Sequence, residues 1–261
     1  MDKYTVNLNA MKKYYYLLTL LVKKDIKKKY KGSFLGIIWS LLNPLLNMIV
    51  LTIVFSTLFD QNVKSFPVYL LCGSLLFGFF STSTSESMHS IISSASLFNK
   101  VYIPKYIFTV SQIISNFIFF AISLIDLVII MIATRAEVTM NILYAPIYLV
   151  LLFIFTCGIG LLLATITVFF RDVEHLYGVI TTILMYTSAI FYPATIIPEK
   201  YGLILTLNPI HYFIKGFRDV VYSGVAADPN NLLICTFIAV LSMVVGVIVF
   251  ERKQDKFILH T

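Results

Sequence analysis

Few side chains in this sequence are of a type that does chemistry, and none is spaced for catalysis. The four histidines, His89, His175, His211 and His260, are scattered without metal-ligand spacing. Cys72, Cys157 and Cys235 all fall inside apolar runs. They read as small packing residues, with neither a disulfide framework nor a metal site in view. The nearest approach to a phosphate loop is GSLLFGFF at Gly73–Phe80. It has the glycine spacing but puts Phe79 and Phe80 where a lysine and a hydroxyl must stand. No nucleophile can be paired with a base. The expectation is a chain that binds no metal or cofactor and catalyses nothing by itself.

Two weaker signals concern transport. Asp126 is the single acid deep within an apolar run. A carboxylate there costs about 2.5–3.5 kcal/mol on insertion scales, so it should face the protein interior with a partner. It reads either as a pore-lining or relay group, or as a buried acid bonded to neighbouring hydroxyls. The second signal is aromatic: 22 Phe, 16 Tyr and one Trp make 15% of the chain. Many such rings simply face lipid or form interfacial belts. Phe77, Phe79, Phe80, Tyr186, Phe191 and Tyr192, however, accompany runs of Ser and Thr. Aromatic faces beside hydroxyls suit sugars, whose C–H faces are apolar and whose hydroxyls need partners. With Trp39, these are the candidate channel-lining residues.

The elements that must carry these residues are membrane helices. Six stretches are long and uncharged enough to cross a bilayer: 32–59, 65–85, 106–125 (running on past Asp126 to Thr134), 138–170, 176–198 and 229–250. In lipid the backbone must satisfy its own hydrogen bonds, which for runs of this length means helices. The fold class is therefore all-α, an integral membrane protein with little material left for a soluble domain: 59% of the chain is hydrophobic and the mean hydropathy is +0.88. The first apolar run, YYYLLTLLV, is short, lacks a small-residue cleavage site and is followed by lysines, so no cleavable signal is expected.

The net charge of +7 is topological. With the N-terminus inside, fifteen of the twenty basic residues fall on inner segments, leaving Lys64, Arg135, Lys200, Lys215 and Arg218 outside. That is the positive-inside bias, so both termini are expected to be cytoplasmic, with lipid headgroups rather than nucleic acid as the anionic neighbours.

Residues 1–31 form a cytoplasmic or interfacial unit before the membrane domain, 32–261. Within it, 11–31 reads as a basic amphipathic helix too short to span, with Tyr14, Leu18, Leu21, Val22 and Ile26 on one side. It should lie in the interface with that side toward the acyl chains, either as an anchor or as a collar touching a cytoplasmic partner. Asp25 and Lys29 fall on the apolar side at i,i+4, the spacing of a helix ion pair. In the first span, Gly32 and Gly36 have the spacing that lets helices approach closely, and Pro44 predicts a weakened turn.

Two connections are too apolar for ordinary loops. At 93–105, Leu97, Phe98, Tyr102 and Ile103 bracket Lys100. Such a segment either docks on a partner or folds onto the protein's own helix ends, and the partner reading is favoured. At 193–214, an uncharged run from Tyr201 to Ile214, bounded by Pro198, Pro209 and Gly216, is too short to span. It predicts a re-entrant hairpin on the outer face, turning near Glu199–Gly202, with a second break at Asn208–Pro209. Such an element could plug or gate an exit, and Pro198, Glu199, Asn208 and Pro209 are the residues expected to form this outer gate.

Taken in order, KKDIKKKYKGSFLGIIWSLLNPLL at 23–46, SLFNKVYIPKY at 96–106, FFRDVEHL at 169–176, IIPEKYGLILTLNPI at 196–210 and FRDVVYSG at 217–224 resemble the permease subunits of ABC-2-type polysaccharide exporters. The resemblance covers nearly the whole chain and leans to the O-antigen branch, although teichoic acid and capsule permeases share the motifs. It implies a six-helix permease that pairs with a second copy around a channel in the bacterial plasma (inner) membrane. It further implies a separate ABC ATPase dimer that holds ATP and Mg, a coupling helix at Leu97, Phe98, Lys100, Tyr102 and Ile103, and a lipid-linked polysaccharide as cargo. A drug or small-amphiphile exporter of the same superfamily is the alternative. A membrane-embedded enzyme of glycan assembly would need acid or metal-ligand clusters that the sequence lacks.

Overall fold

The computed structural model describes residues 8–29, 31–33, 35–59, 65–95, 103–193 and 202–259. Among these residues there are nine α-helices and no strand: α1 Leu8–Lys29, α2 Trp39–Phe59, α3 Phe66–Ser90, α4 Tyr106–Ala133, α5 Ala145–Phe169, α6 Val173–Thr187, α7 Gly202–Leu207, α8 Pro209–Val221 and α9 Pro229–Lys253. Five of the described helices, α2, α3, α4, α5 and α9, are long and apolar enough to cross a membrane.

Helices α3 and α5 stand at the centre. The first packs on α2, α4, α5 and α8; the second packs on α9, α3, α4 and α8. Stacked phenylalanines run through the core, with Phe80 on Phe155 at 5.4 Å and Phe155 on Phe213 at 5.2 Å between ring centroids. By contrast α2 and α9 are peripheral, and apolar side chains such as Ile53 and Phe237 are exposed.

The helix α1 corrects one expectation. Its apolar side faces protein: α1 packs along α4, and Leu21 joins Ile107, Phe108, Val168, Phe250 and Phe257 in a second buried cluster. Tyr15 and Tyr16 are the rings left exposed. Lys29 does not supply the expected partner for Asp25. It donates to Asn116 Oδ1 at 3.4 Å and lies 4.5 Å over the Phe119 ring.

Gly32 and Gly36 are a second correction. Their φ angles are +83° and +48°, and a Cβ on either would meet nothing within 4 Å. They are turn glycines linking α1 to α2, used for left-handed backbone rather than for close helix approach. Pro44 does sit inside α2. Having no N–H, it frees the carbonyl four residues back, and Ser123 Oγ of α4 donates to that Ser40 carbonyl at 2.8 Å.

The expected fifth span, 176–198, is also different. Helix α6 has only 15 residues and ends at Thr187. At about 1.5 Å per residue it covers less than the roughly 30 Å hydrocarbon core. Thr181, Thr182, Thr187 and Ser188 all turn their hydroxyls back onto carbonyls three or four residues earlier. Such bonds compete with the helix ladder and bend it, and Ala189 then takes φ +53°.

Candidate functional site

A groove of ≈ 340 Å³ runs between α2, α3 and α4, within the size range of small-ligand sites. Helix α3 contributes Ser74, Gly78 and Thr82, spaced four apart on one face, together with Leu75 and Phe79. From α2 come Trp39, Ser40, Asn43, Pro44 and Asn47; from α4, Asn116, Phe119, Phe120 and Ser123. Lys29 is the one charged residue among the described lining. The wall thus combines hydroxyls, amides and aromatic rings with the apolar side chains of Pro44, Met48, Leu51 and Leu75. Gly78 has open space where a Cβ would stand, which widens the groove at that point.

Lys29, Asn116 and Phe119 also line a second hollow of ≈ 410 Å³, nearer the end that carries α1. Here Glu86 accepts hydrogen bonds from Gln112 Nε2 and Asn116 Nδ2, each at 2.6 Å. Asp25, Lys28, His89, Ser90 and Ser93 complete its rim. Burial lifts the Asp25 carboxyl above its ordinary range; Lys24 and Lys28 pull it back in part, and Glu86 pushes it up further. Next to this hollow His89 Nε2 and Glu174 stand 3.1 Å apart, joining the end of α3 to the start of α6.

Sequence reasoning missed Glu86 because the second span was expected to stop at 85. The helix runs on to Ser90, with Ser87 and Ser90 bonding back to Ser83 and Ser87 carbonyls. A usable signal existed in the i,i+4 pair Gln112 and Asn116, two amides on one face of a span with only a carboxylate to satisfy.

The predicted channel-lining residues separate into three places. Trp39, 37% exposed, and Phe79 line the groove. Phe77, Phe79 and Phe80 all belong to the buried core, Phe79 at 4% exposure included, and only Phe79 touches the groove from there, while Phe77 and Phe80 do not line it. Tyr186, Phe191 and Tyr192 lie at the far end of α6: Tyr186 is exposed, Phe191 stacks on Phe55 at 5.8 Å, and the Tyr192 hydroxyl donates to the Tyr186 carbonyl.

Asp126 faces the interior and is fully buried, but neither oxygen has a hydrogen-bond partner among the described residues. The expected hydroxyl is not there: Ser123, the nearest serine one turn earlier, spends its proton on the Ser40 and Phe119 carbonyls. Asp126 lines neither hollow.

Of the coupling residues, Leu97, Phe98, Lys100 and Tyr102 lie outside the described residues. Ile103 is half-buried and packs against the cluster of Leu21 and Phe257, so this end of the segment folds onto the protein itself. Pro198 and Glu199, with most of the expected hairpin turn, are likewise outside the described residues. Asn208 and Pro209 make the predicted break. Asn208 is extended (φ −85°, ψ 109°), caps α8 by accepting from Ile210 N–H, and donates to the Leu184 carbonyl, Thr187 Oγ1 and Ser188 Oγ at the end of α6. Pro209 opens α8, where its missing N–H costs nothing.

The described residues form a helical bundle with five helices able to span a membrane, and the sequence matches the ABC-2 type transporter family over residues 16–222. The chain belongs to that family. Among individual proteins, it is 28% identical over 243 residues to the O-antigen export system permease protein RfbA of Myxococcus xanthus, covering 92% of this chain and 94% of that one. It is 26% identical over 242 residues to the RfbA protein of Klebsiella pneumoniae, covering 92% and 93%. Against the polysialic acid transport protein KpsM of Escherichia coli it is 26% identical over 194 residues, covering 73% and 74%.

Proposed function

We propose that this chain is the permease subunit of an ATP-driven exporter of lipid-linked polysaccharide, with its groove as half of the sugar path. The observation that carries the reading is the lining between α2, α3 and α4: hydroxyls and amides for sugar hydroxyls, and Trp39, Phe79 and Phe119 for the C–H faces of the rings. O-antigen export system permease proteins and a polysialic acid transport protein are among its relatives. The lining favours the O-antigen type. A polyanion would need cations along its path to replace its hydration, and Lys29 alone is charged among the described lining, already engaged with Asn116 and Phe119. A neutral, hydroxyl-rich glycan makes no such demand.

The remaining parts follow from the same reading. The exposed apolar side of α2 leaves the groove to be completed by a second copy, and the family implies an ABC ATPase that holds ATP and Mg on the cytoplasmic side of a bacterial inner membrane, the side of α1. Leu97, Phe98, Lys100 and Tyr102 would enter that ATPase, while Ile103 stays on the permease. The experiment uses the native strain. Loss of the gene should strip a glycan from the cell surface and accumulate its lipid-linked form inside. The double variant Phe98→Ser with Tyr102→Ser should reproduce that block while the protein still inserts. Unchanged surface glycan in the deletion strain would sink the proposal.

A further inference from the structure

Arg218 was expected among the outer cations, yet it is buried in α8 at 7% exposure. Its Nε donates to the Tyr69 carbonyl at 3.2 Å, Nη1 to the Ala189 carbonyl at 2.7 Å and Nη2 to the Ile190 carbonyl at 3.0 Å. The guanidinium also lies over the Tyr69 ring, 3.6 Å from its centroid. Gly73, one turn beyond Tyr69, makes the room: a Cβ there would stand 2.5 Å from Nη2. Ala189 and Ile190 follow the end of α6, so their carbonyls have left the helix ladder, and both residues are buried at 1% exposure, so water is not there to serve them. Arginine presents five donors in a fixed fork, so one side chain can satisfy all three acceptors while a ring face attracts its charge. The Tyr69 hydroxyl reaches the same turn, within hydrogen-bond distance of the Ala189 and Tyr192 carbonyls.

We propose that Arg218 is the positioning residue of the turn at Ala189 and Ile190 that ends α6. Together with Asn208, ten residues earlier on the same helix, it rivets α8 to the broken end of α6 and to the first turns of α3. This anchorage does not rest on the export reading above, and its test needs no cargo.

The test replaces Ala189, 1% exposed and already carrying a Cβ at φ +53°, with cysteine in the full-length chain. Its reaction with a membrane-impermeant maleimide is followed by site-specific mass spectrometry, and the buried Cys72, Cys157 and Cys235 set the background. With Arg218 present the site should be protected. Arg218→Gln and Arg218→Lys should each raise the labelling rate at least tenfold, the lysine failing because it keeps the charge but loses the fork. Gly73→Ala should do the same with the arginine retained, since its methyl is driven against Nη2. A second cysteine at Ala239, fully buried on α9, should stay unreactive throughout. Protection of residue 189 that survives all three variants overturns the proposal, as does full rescue by lysine. Exposure of residue 239 in step with 189 overturns it too, because Arg218 would then hold up the whole fold rather than this turn.

Discussion

Gly158 of α5 and Gly246 of α9 meet backbone to backbone: a Cβ on Gly246 would stand 2.3 Å from the Gly158 carbonyl oxygen. A Cβ on Gly158 would be just as close to the carbonyl carbon of Ser242. The glycine pair that sets a close helix crossing is therefore here, between the two helices that share the most extensive contact, and not at the start of α2.

The crossing makes a direct prediction. Gly158→Ala and Gly246→Ala must each push two backbones apart, at a cost of about 1–3 kcal/mol or more. Both should lower the melting temperature in detergent. Gly178→Ala on α6, with nothing within 4 Å of the new methyl, should be neutral or stabilise by about 0.5–1 kcal/mol. Equal effects at all three sites would contradict the packing.

Trp39 tests the groove. An aromatic face is worth about 0.5–1.5 kcal/mol beyond its buried area, so Trp39→Ala should slow export roughly three- to tenfold, whereas Trp39→Phe should keep most of it. Quantifying surface glycan per permease molecule checks this. An alanine variant at full rate would remove Trp39 from the path.

Asp126 should prove dispensable. A fully buried carboxyl with no hydrogen-bond partner among the described residues contributes nothing that favours the folded state. We expect Asp126→Asn to hold or raise thermal stability and to leave export intact. A loss of export without a loss of stability would make it a relay group after all.

Asp25 predicts a pH effect of definite sign. Burial raises its carboxyl above the ordinary 3.8. The folded state then holds the proton longer than the unfolded one, so stability falls as pH rises through that window and stays reduced above it. Asp25→Asn removes the effect. Its melting temperature should match the parent below about pH 3, where both folded and unfolded carboxyls are protonated, and exceed it at neutral pH. A parent that is more stable than the variant at neutral pH, with the difference vanishing toward acid, would mean that Asp25 is held by its lysines instead.

What the sequence made legible was five of the six expected long apolar helices and the Asn208–Pro209 break, because length, hydropathy and proline chemistry are local properties. The rest depended on which face a residue occupies. Gly32 and Gly36 share the spacing of packing glycines, and only their φ angles reveal a turn. Phe77 and Phe79 are two residues apart with similar surroundings in the sequence, yet only Phe79 lines the groove. Arg218 had a signal that charge counting hid: on a helix it falls on the side of Ile214, Phe217 and Val221, three buried residues, so a lone cation on an apolar face was already calling for acceptors.

The buried cluster at the α1 end has a bearing on how the protein is made. Its members come from position 21 at one extreme and position 257 at the other. A chain leaving the ribosome can place its spans in the membrane one by one, but this cluster cannot close until the last segment has emerged. Until then Leu21 and its neighbours offer an open apolar seat beside the basic face of α1. A product broken off after α5 would carry that seat permanently exposed, a clear mark by which cellular proteases could tell unfinished permease from finished.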